Sequence, residues 1–353
     1  MSLKDLIERQ VSRTGPLTLA EYMGLCLSHP TLGYYTTRDP LGAEGDFTTA
    51  PEISQMFGEL VGLALAQAWL DQGAPVPFVL AELGPGRGTL MADILRATAR
   101  VPAFAPAIHL VETSPALRAE QAKRVPGATF HDSLATLPEA PLFLIANEFF
   151  DALPVRQFQR HANGWQERVV GLHDGRLTRG LTDPTPVEAL EHRLSDTTPG
   201  QIVETCAPGQ AVAQEIGRRI AAHGGVALVI DYGDRQSIGD TFQALRRHAP
   251  VDPFATPGEA DLTAHVDFGA LACAAAPARH APITPQGVFL ERLGITARAQ
   301  ALATQLGGDA LQSHIAAHRR LTHPGEMGSL FKVLALFPEG APLPPGLDEV
   351  TCQ

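Results

Sequence analysis

The chain has 353 residues, 44% of them hydrophobic, which is enough for a sizeable core in two domains or in one domain with insertions. Its formal net charge of −11 argues against binding to a nucleic-acid backbone, which depends on clustered Lys and Arg. No apolar run is long enough to span a bilayer, and the first residues resemble neither a secretory nor a transit signal. The four cysteines are far apart, so we expect no disulfide framework, no thiolate metal site and a cytoplasmic location.

The first 75 residues are predicted to form a helical region. Thr18 and Glu21 have the spacing of a capping box, and Thr49 and Glu52 repeat that spacing before a longer apolar segment. In this segment apolar residues recur at helical spacing over 53–69. The pattern predicts a helix with one broad apolar face that docks on a sheet.

Strands and helices alternate from residue 78 onward. The predicted strands cover 78–83, 107–112, 128–131, 142–146 and 226–231, and helices begin at Thr89 and after a Ser114 cap. This order predicts an α/β fold with a parallel, Rossmann-like sheet, whose halves lie at 76–154 and 226–353. Residues 155–225 are expected to be an insertion, with a hairpin around Asp174-Gly175 and a helix over 208–222.

The final third contains less regular patterns. We predict a helix over 239–248, a proline- and glycine-rich loop over 250–258 and a helix after Asp267. Strands are predicted at 283–291 and at 330–337, of which the second is apolar and follows Gly328.

A turn with three alternating glycines follows the strand over 78–83. Gly84, Gly86 and Gly88 precede a helix, and Glu82 lies two residues before the first glycine. Glycines at such a turn permit positive φ and let a ligand approach the backbone. The dinucleotide pattern requires glycine where Thr89 stands, and a carboxylate suits a cationic ligand, so the turn favours S-adenosylmethionine over NAD. An NAD-dependent oxidoreductase remains the alternative.

Polar residues at the ends of the following strands extend this predicted cofactor site. Glu112 ends the second strand, where a carboxylate can accept hydrogen bonds from both ribose hydroxyls. Asp132 follows the third strand and is expected near the adenine, and Asn147 follows the fourth and is expected to contact the cofactor.

The loop that begins at Asn147 contains candidates for catalysis. Glu148 and Asp151 follow a strand at the carboxyl edge of the sheet, where doubly wound folds bind their ligands. Methyl transfer mainly requires that the nucleophile be aligned and water excluded, which polar groups on this loop could achieve. The alternative is that Asp151 caps a turn and that Glu148 is solvated.

Three other segments contain further candidates. Asp46 lies in a glycine-containing loop that could close over a ligand, and Glu52, which capping also explains, is a candidate for substrate binding. His265 and Asp267 would point to one side of an extended segment, where His265 could bind substrate, but Asp267 could equally be the N-cap of a helix. The 13 histidines form no pair at ligand spacing, so no metal site is expected.

These segments resemble the MidA-like, or DUF185, family of S-adenosylmethionine-dependent methyltransferases over nearly the whole chain. The matching segments are 45–47 with 51–59, 82–89, 147–154, 231–233, 261–268, and 327–328 with 330–332. The resemblance implies a class I methyltransferase sheet of seven strands, the last one antiparallel, with family-specific helical and inserted parts.

The resemblance also implies a protein substrate. Mitochondrial members of the family symmetrically dimethylate an arginine in a subunit of respiratory NADH:ubiquinone oxidoreductase and assist its assembly, so this chain is expected to methylate arginine in such a subunit or in an analogous protein. Paired acids would orient a guanidinium group, whose pKa exceeds about 12, and Glu148 and Asp151 are the first candidates, followed by Asp46 and Asp267.

The first residues do not resemble the transit peptide of the mitochondrial members, so we expect a bacterial-type protein. A non-catalytic assembly protein that retains the cofactor pocket is a second alternative. The sequence does not indicate an oligomeric state.

Overall fold

The computed structural model describes residues 1–37 and 48–348. Its helices are α1 (Leu3–Thr14), α2 (Leu19–Ser28), α3 (Tyr34–Thr37), α4 (Ala50–Ile53), α5 (Gln55–Asp71), α6 (Thr89–Thr98), α7 (Pro115–Arg124), α8 (Ala207–His223), α9 (Phe268–Ala274), α10 (Gln286–Arg292), α11 (Ile295–Ala303), α12 (Gly308–Thr322) and α13 (Met327–Leu330). Its strands are β1 (Leu17–Thr18), β2 (Val79–Leu83), β3 (Ala107–Val111), β4 (Thr129–His131), β5 (Leu142–Asn147), β6 (Arg156–His161), β7 (Gly164–His173), β8 (Arg176–Leu181), β9 (Ile202–Thr205), β10 (Gly225–Asp234), β11 (Gln243–Arg246), β12 (Ala249–Pro250), β13 (Asp261–Thr263), β14 (Val266–Asp267), β15 (Arg279–His280), β16 (Thr284–Pro285) and β17 (Phe331–Phe337).

The chain divides into two compact units, each built from separate parts of the sequence. Unit 1 contains the described residues of 1–47 together with 151–209 and 236–267, and unit 2 contains 48–150, 210–235 and the described residues from 268 onward. The predicted segments 1–75 and 155–225 each contribute to both units. Among the described residues, no helix has both the length and the apolar character that crossing a membrane requires.

Unit 2 contains a largely parallel sheet with the strand order β15-β17-β10-β5-β2-β3-β4. The strands from β10 to β4 pair in parallel, whereas β17 pairs antiparallel with β10, so that Val229 lies opposite Leu334. Strands β2 and β5 are buried along their whole length, as expected of strands covered on both faces. The predicted α/β sheet with an antiparallel last strand is therefore confirmed.

Helix α5 forms part of the core of unit 2. Phe57, Val61 and Trp69 on its apolar face are almost completely buried, as the helical spacing predicts. An added Cβ on Gly62 would lie 2.9 Å from Cα of Ile94 in α6, so these two helices approach closely. A larger side chain at this position would force them apart.

Unit 1 joins the N-terminal helices to the inserted strands. Its larger sheet has the order β1-β7-β6-β9, with β8 paired to β7, and β11 lies between β12 and β13 in a second sheet. Ile7 of α1, Met23 of α2, Val170 of β7 and Phe242, which immediately precedes β11, belong to one buried apolar cluster. The two predicted regions therefore share a core, which their separation in sequence conceals.

Local signals predicted several elements correctly. Asp174 and Gly175 both have positive φ, 49° and 71°, and form the turn of the β7–β8 hairpin. Ser114 caps α7 through a 3.5 Å hydrogen bond from the Leu117 backbone to its side chain. The capping box of Thr18 is also present.

Two elements of the final third differ from the prediction. Residues 243–246 form strand β11 instead of a helix, because Phe242 and Ala244 alternate into the core of unit 1 and the strand pairs with β13. Residues 286–292 form helix α10 instead of a strand, because Gln286, Phe289 and Leu290 are buried on one helical face. In both cases tertiary packing overrides the local preference.

Candidate active site

The predicted glycine turn joins β2 to α6 in unit 2. Gly84, Gly86 and Gly88 have positive φ values of 60°, 52° and 80°. Gly88 is also the N-cap of α6, so the N-terminus of the helix opens directly onto the turn. An added Cβ on Gly84 would lie 2.9 Å from Cδ2 of Phe149, so a side chain has no room at the start of the turn. The conformation of the turn is the one that its glycines predict.

Glu82 lies near the end of β2 and is almost fully buried, with 3% of its surface exposed. Burial raises the pKa of this carboxyl to about 8, although a hydrogen bond from the Met91 backbone opposes the rise. Among the described residues, its Oε2 atom has no hydrogen-bond partner. A buried acceptor of this kind is costly, and a donor or a cation on a ligand would satisfy it.

Glu112 follows β3 and is partly buried. Its Oε1 accepts a 2.7 Å hydrogen bond from the Ser114 backbone, and its Oε2 accepts a 3.3 Å hydrogen bond from Gln121 Nε2. Burial raises the pKa of Glu112, and these hydrogen bonds oppose the rise. Each carboxylate oxygen can accept two hydrogen bonds, so the group has the capacity to accept ribose hydroxyls as predicted.

Gln121 is a residue of this region that sequence reasoning did not identify. Its side chain is fully buried on α7. Its Nε2 donates to the Gly86 carbonyl oxygen at 2.6 Å and to Glu112 Oε2 at 3.3 Å. A glutamine in a polar helix gives no local signal, so only the packing of α7 beside the turn shows that it connects two predicted cofactor residues.

Asp132 is exposed, with 84% of its side chain accessible, and lies 2.6 Å from Arg118 Nη2 in an ion pair. The Nε atom of Arg118 donates a 2.7 Å hydrogen bond to the Glu112 carbonyl. Arg118 therefore links the residues that follow β3 and β4. The role of Asp132 near the adenine stays a prediction.

Asn147 ends β5 and is buried, and Glu148 follows with a positive φ of 51°. Glu148 Oε1 accepts 3.1 Å hydrogen bonds from the Ala50 backbone and from Asn147 Nδ2. Asn147 Oδ1 has no hydrogen-bond partner within the described part of the chain. Glu148 is therefore held in place, and left-handed backbone at a residue other than glycine costs about 1–3 kcal/mol, a strain that clusters at functional sites.

Asp231 is a second residue that the sequence did not single out for the site. It lies on β10 with 0% exposure, and it accepts hydrogen bonds from the backbones of Phe150 at 3.0 Å and Tyr232 at 2.9 Å. The Glu148 backbone donates to the Ile230 carbonyl at 2.9 Å. Strand β10 therefore fixes the Glu148–Phe150 loop at two points. The segment 231–233, which resembles the MidA-like family, was the sequence signal from which Asp231 could have been identified.

Glu52 bonds to the start of α6 instead of capping its own helix. Its Oε1 accepts a 2.6 Å hydrogen bond from Thr89 Oγ1, which in turn accepts one of 2.6 Å from Arg124 Nη1. Thr49 makes no side-chain cap, so the predicted capping box at 49–52 is wrong. Glu52 thus lies beside the first residue of the helix that follows the glycine turn, and its role in substrate binding stays a prediction.

In unit 1, Asp151 and Asp261 are buried acids with 7% and 1% exposure. The hydroxyl of Tyr35 donates a 2.7 Å hydrogen bond to Asp261 Oδ1. Burial raises the pKa of Tyr35 well above its usual value, and the charges of Asp261 and Asp151 raise it further. Sequence reasoning identified Asp151 but neither Tyr35 nor Asp261, although Asp261 begins the matching segment 261–268.

His265 and Asp267 also lie in unit 1. The His265 backbone donates a 2.8 Å hydrogen bond to Thr241 Oγ1, and Asp267 Oδ2 accepts one of 3.3 Å from the Ser237 backbone. Asp267 immediately precedes α9, where an N-cap was considered. Asp46 lies outside the described residues. The predicted roles of these three residues stay predictions.

Two histidines that are distant in sequence meet across β3 and β4. His109 Nδ1 lies 2.8 Å from His131 Nε2, and burial lowers the pKa of both rings. The pairing of the strands brings these residues together, so their sequence spacing gives no sign of it. In residues 1–37 and 48–348, no group of three or more His, Cys, Asp and Glu side chains could hold a metal ion.

Similar proteins extend these observations to a family. A family described as "Putative S-adenosyl-L-methionine-dependent methyltransferase" matches residues 60–284. The mitochondrial protein arginine methyltransferase NDUFAF7 homologue of Drosophila melanogaster is 36% identical, over 96% of this chain and 85% of its own length. The mitochondrial protein arginine methyltransferase NDUFAF7 of Homo sapiens is 37% identical, over 93% of this chain and 82% of its own.

A solved structure shows the same fold. The crystal structure of a COG1565 superfamily member from Burkholderia thailandensis, bound to S-adenosyl-homocysteine, superposes with a TM-score of 0.84 at 29% identity. The match covers 98% of this chain and 93% of that one. The NAD alternative therefore has no support from the similar proteins.

The residues around the glycine turn fit S-adenosylmethionine, which carries an ammonium, a sulfonium and ribose hydroxyls but no phosphate. Buried acceptor atoms of Glu82 and Asn147 suit the cationic groups, and the carboxylate of Glu112 suits the ribose. The chain belongs to the MidA-like, or DUF185, family of S-adenosylmethionine-dependent methyltransferases, and S-adenosylmethionine is its cofactor.

Proposed function

We propose that this methyltransferase modifies an arginine side chain of a protein. The observation that carries the proposal is the similarity, along nearly the whole chain, to relatives named protein arginine methyltransferases. The proposed substrate is a subunit of respiratory NADH:ubiquinone oxidoreductase or an analogous protein, as the family resemblance implies. The proposed location is the cytoplasm, a reducing compartment in keeping with the free cysteines Cys26, Cys206 and Cys273.

Acidic groups support a guanidinium substrate. A guanidinium is always charged at neutral pH and its lone pairs are delocalised, so an enzyme has to orient the attacking nitrogen with hydrogen-bond acceptors. Unit 1 contains the buried acids Asp151 and Asp261, of which Asp261 accepts a hydrogen bond from the Tyr35 hydroxyl. Unit 2 contains Glu148, whose side chain accepts a hydrogen bond from the Ala50 backbone and whose own backbone donates to the Ile230 carbonyl. Each of these acids is proposed, separately, as a substrate-orienting residue.

The cofactor, when bound, supplies a methyl group that its sulfonium activates. The glycine turn is proposed to lie against it, because glycines at a strand-to-helix turn let a ligand approach the backbone. Glu82 and Asn147 are proposed to accept hydrogen bonds from its charged portion, and Glu112 from its ribose. In this proposal the protein contributes mainly alignment, because the leaving group is already activated.

The proposed function is tested by measuring methyl transfer from S-adenosylmethionine to protein. The purified protein is incubated with radiolabelled S-adenosylmethionine and a lysate from a strain in which its gene is deleted, so that native substrates are undermethylated. We expect one or a few labelled proteins, and mass spectrometry of the labelled peptide should show symmetric dimethylarginine. The Gly86→Val variant is the matched control and should label nothing.

Label on lysine, on a carboxyl group or on a small molecule would overturn the arginine assignment. A protein that binds S-adenosyl-homocysteine but labels nothing in such a lysate would instead be a non-catalytic assembly protein with a retained pocket. Binding of S-adenosyl-homocysteine, measured by calorimetry, separates this outcome from a preparation that is simply misfolded.

A further inference from the structure

Gln121 contacts both halves of the cofactor region from outside the turn. Its side chain has 0% exposure and projects from α7. One nitrogen, Nε2, donates to the carbonyl of Gly86 at 2.6 Å and to the carboxylate of Glu112 at 3.3 Å. These residues lie 26 positions apart on either side of a helix and a strand, so no local interaction would fix their separation.

The orientation of the amide follows from its partners. A carbonyl and a carboxylate are both acceptors, so the NH₂ end of Gln121 has to face them, and a flipped amide would place oxygen against oxygen. The Cα of Gln121 also packs against the turn, because an added Cβ on Gly88 would lie 3.5 Å from it. The side chain therefore has little freedom to choose other partners.

We propose that Gln121 is a positioning residue that holds the glycine turn and the Glu112 carboxylate in the register that the nucleoside part of the cofactor requires. The inference rests on the cofactor roles assigned to Gly86 and Glu112. By donating to Glu112 Oε2, the amide orients the carboxylate and leaves its remaining acceptor sites for the ribose. By donating to the Gly86 carbonyl, it ties the same carboxylate to the turn.

A second buried glutamine offers a matched control. Gln286 also has 0% exposure, and its Nε2 donates to a backbone carbonyl, that of Leu321 at 3.0 Å. The Oε1 atoms of Gln121 and Gln286 both lack a hydrogen-bond partner among the described residues. Replacement of either glutamine by methionine removes one buried amide and leaves a side chain of similar size. Gln286 has no predicted cofactor role, so the two variants separate a loss of stability from a loss of positioning.

The experiment measures binding of adenosine and of 2′,3′-dideoxyadenosine by calorimetry, in the wild type and in Gln121→Met and Gln286→Met. The wild type should bind adenosine more tightly, because the dideoxy compound lacks both hydroxyls. The measured quantity is the Kd for 2′,3′-dideoxyadenosine divided by the Kd for adenosine. In Gln121→Met we expect this ratio to fall at least about fivefold towards one. In Gln286→Met we expect the wild-type ratio, even if the Tm of this variant is lower. A folded Gln121→Met with the wild-type ratio would overturn the proposal.

A measurement on the wild type covers the case in which Gln121→Met does not fold. The Gln121 side-chain amide, assigned by ¹⁵N NMR, should shift and exchange more slowly with solvent on addition of S-adenosyl-homocysteine. An amide signal that does not respond to saturating ligand would overturn the positioning role. A wild type that binds neither nucleoside nor S-adenosyl-homocysteine would instead contradict the cofactor assignment, so the two failures are distinct.

Discussion

The backbone N–H of Phe150 donates a 3.0 Å hydrogen bond to Asp231 Oδ2, which joins the end of the 147–150 loop to β10. Asp231 is fully buried, and its other oxygen is held by the Tyr232 backbone at 2.9 Å. The carboxylate thus accepts from two backbone donors whose positions are fixed by the strand and the loop. The two donors bond to different oxygens, so both bonds in this geometry require an acceptor at each of the two positions.

Asp231→Asn should therefore slow methyl transfer. Its amide nitrogen cannot accept from a backbone N–H, so one of the two bonds is lost and the loop that carries Glu148 loosens. We expect the rate of transfer to protein to fall at least about tenfold, equivalent to about 1.4 kcal/mol, with folding retained. Asp71→Asn, on the exposed end of α5, is the control. A wild-type rate in folded Asp231→Asn would contradict the positioning role of Asp231.

Gly86→Val should abolish cofactor binding. The φ of Gly86 is 52°, so valine adds about 1–3 kcal/mol of backbone strain as well as bulk against the ligand. Calorimetry with S-adenosyl-homocysteine should show no measurable binding. Gly127→Val is a matched control, because Gly127 has a φ of 86° and an added Cβ there meets nothing within 4 Å. Equal affinity in Gly86→Val and the wild type would refute the proposed contact.

Glu82→Gln should change how stability depends on pH. The pKa of Glu82 rises from 4.5 to about 8 on folding, so the folded state binds more protons between these values and stability falls as pH rises through them. Glutamine does not titrate, so the variant should lack this loss and melt at a higher temperature than the wild type at pH 9. Thermal denaturation from pH 4 to pH 9 tests this, and parallel curves for the two proteins would show that Glu82 does not titrate as stated.

Glu59→Gln should destabilise unit 2 at neutral pH. Burial opposes ionisation of Glu59, but hydrogen bonds from Arg298 and Arg96 at 2.8 Å outweigh it and lower the pKa. Its stabilisation is therefore present at pH 7 and is lost as pH falls below about 4.5. Because the arginines are 40–49% exposed, we expect a loss of only about 1 kcal/mol. Urea denaturation at pH 7 and pH 4 should show the difference shrinking at the lower pH.

Asp261→Asn should impair transfer to protein without weakening cofactor binding. Asp261 is 1% exposed and accepts from the Tyr35 hydroxyl at 2.7 Å, and its proposed role is with the substrate and not with the cofactor. Loss of the charge should weaken attraction to a guanidinium. The label incorporated per minute should fall at least about tenfold, with the Kd for S-adenosyl-homocysteine unchanged. Tyr35→Phe keeps the carboxylate and should have a smaller effect. Full activity in Asp261→Asn would remove Asp261 from the proposed substrate site.

Local conformational preferences were sufficient to predict the secondary-structure elements that carry the cofactor site. The glycine turn, the Ser114 cap and the Asp174-Gly175 hairpin each depend on the conformational preferences of a few consecutive residues. Apolar runs likewise predicted β2 and β5. The helix predicted over 239–248 is wrong, because burial of Ala244 and pairing of 243–246 with β13 decide the strand.

The sequence by itself determined the fold class and, with the family resemblance, the cofactor, and it predicted the roles of the acids at the strand ends, since these inferences depend on local pattern and side-chain chemistry. Only the tertiary structure showed Gln121 bonded to Gly86, Asp231 to Phe150 and Tyr35 to Asp261, across separations of 35, 81 and 226 residues. Such bonds depend on how distant elements pack. A buried polar side chain needs a hydrogen-bond partner, but which group becomes that partner is decided by tertiary packing and cannot be predicted from the neighbouring residues in sequence.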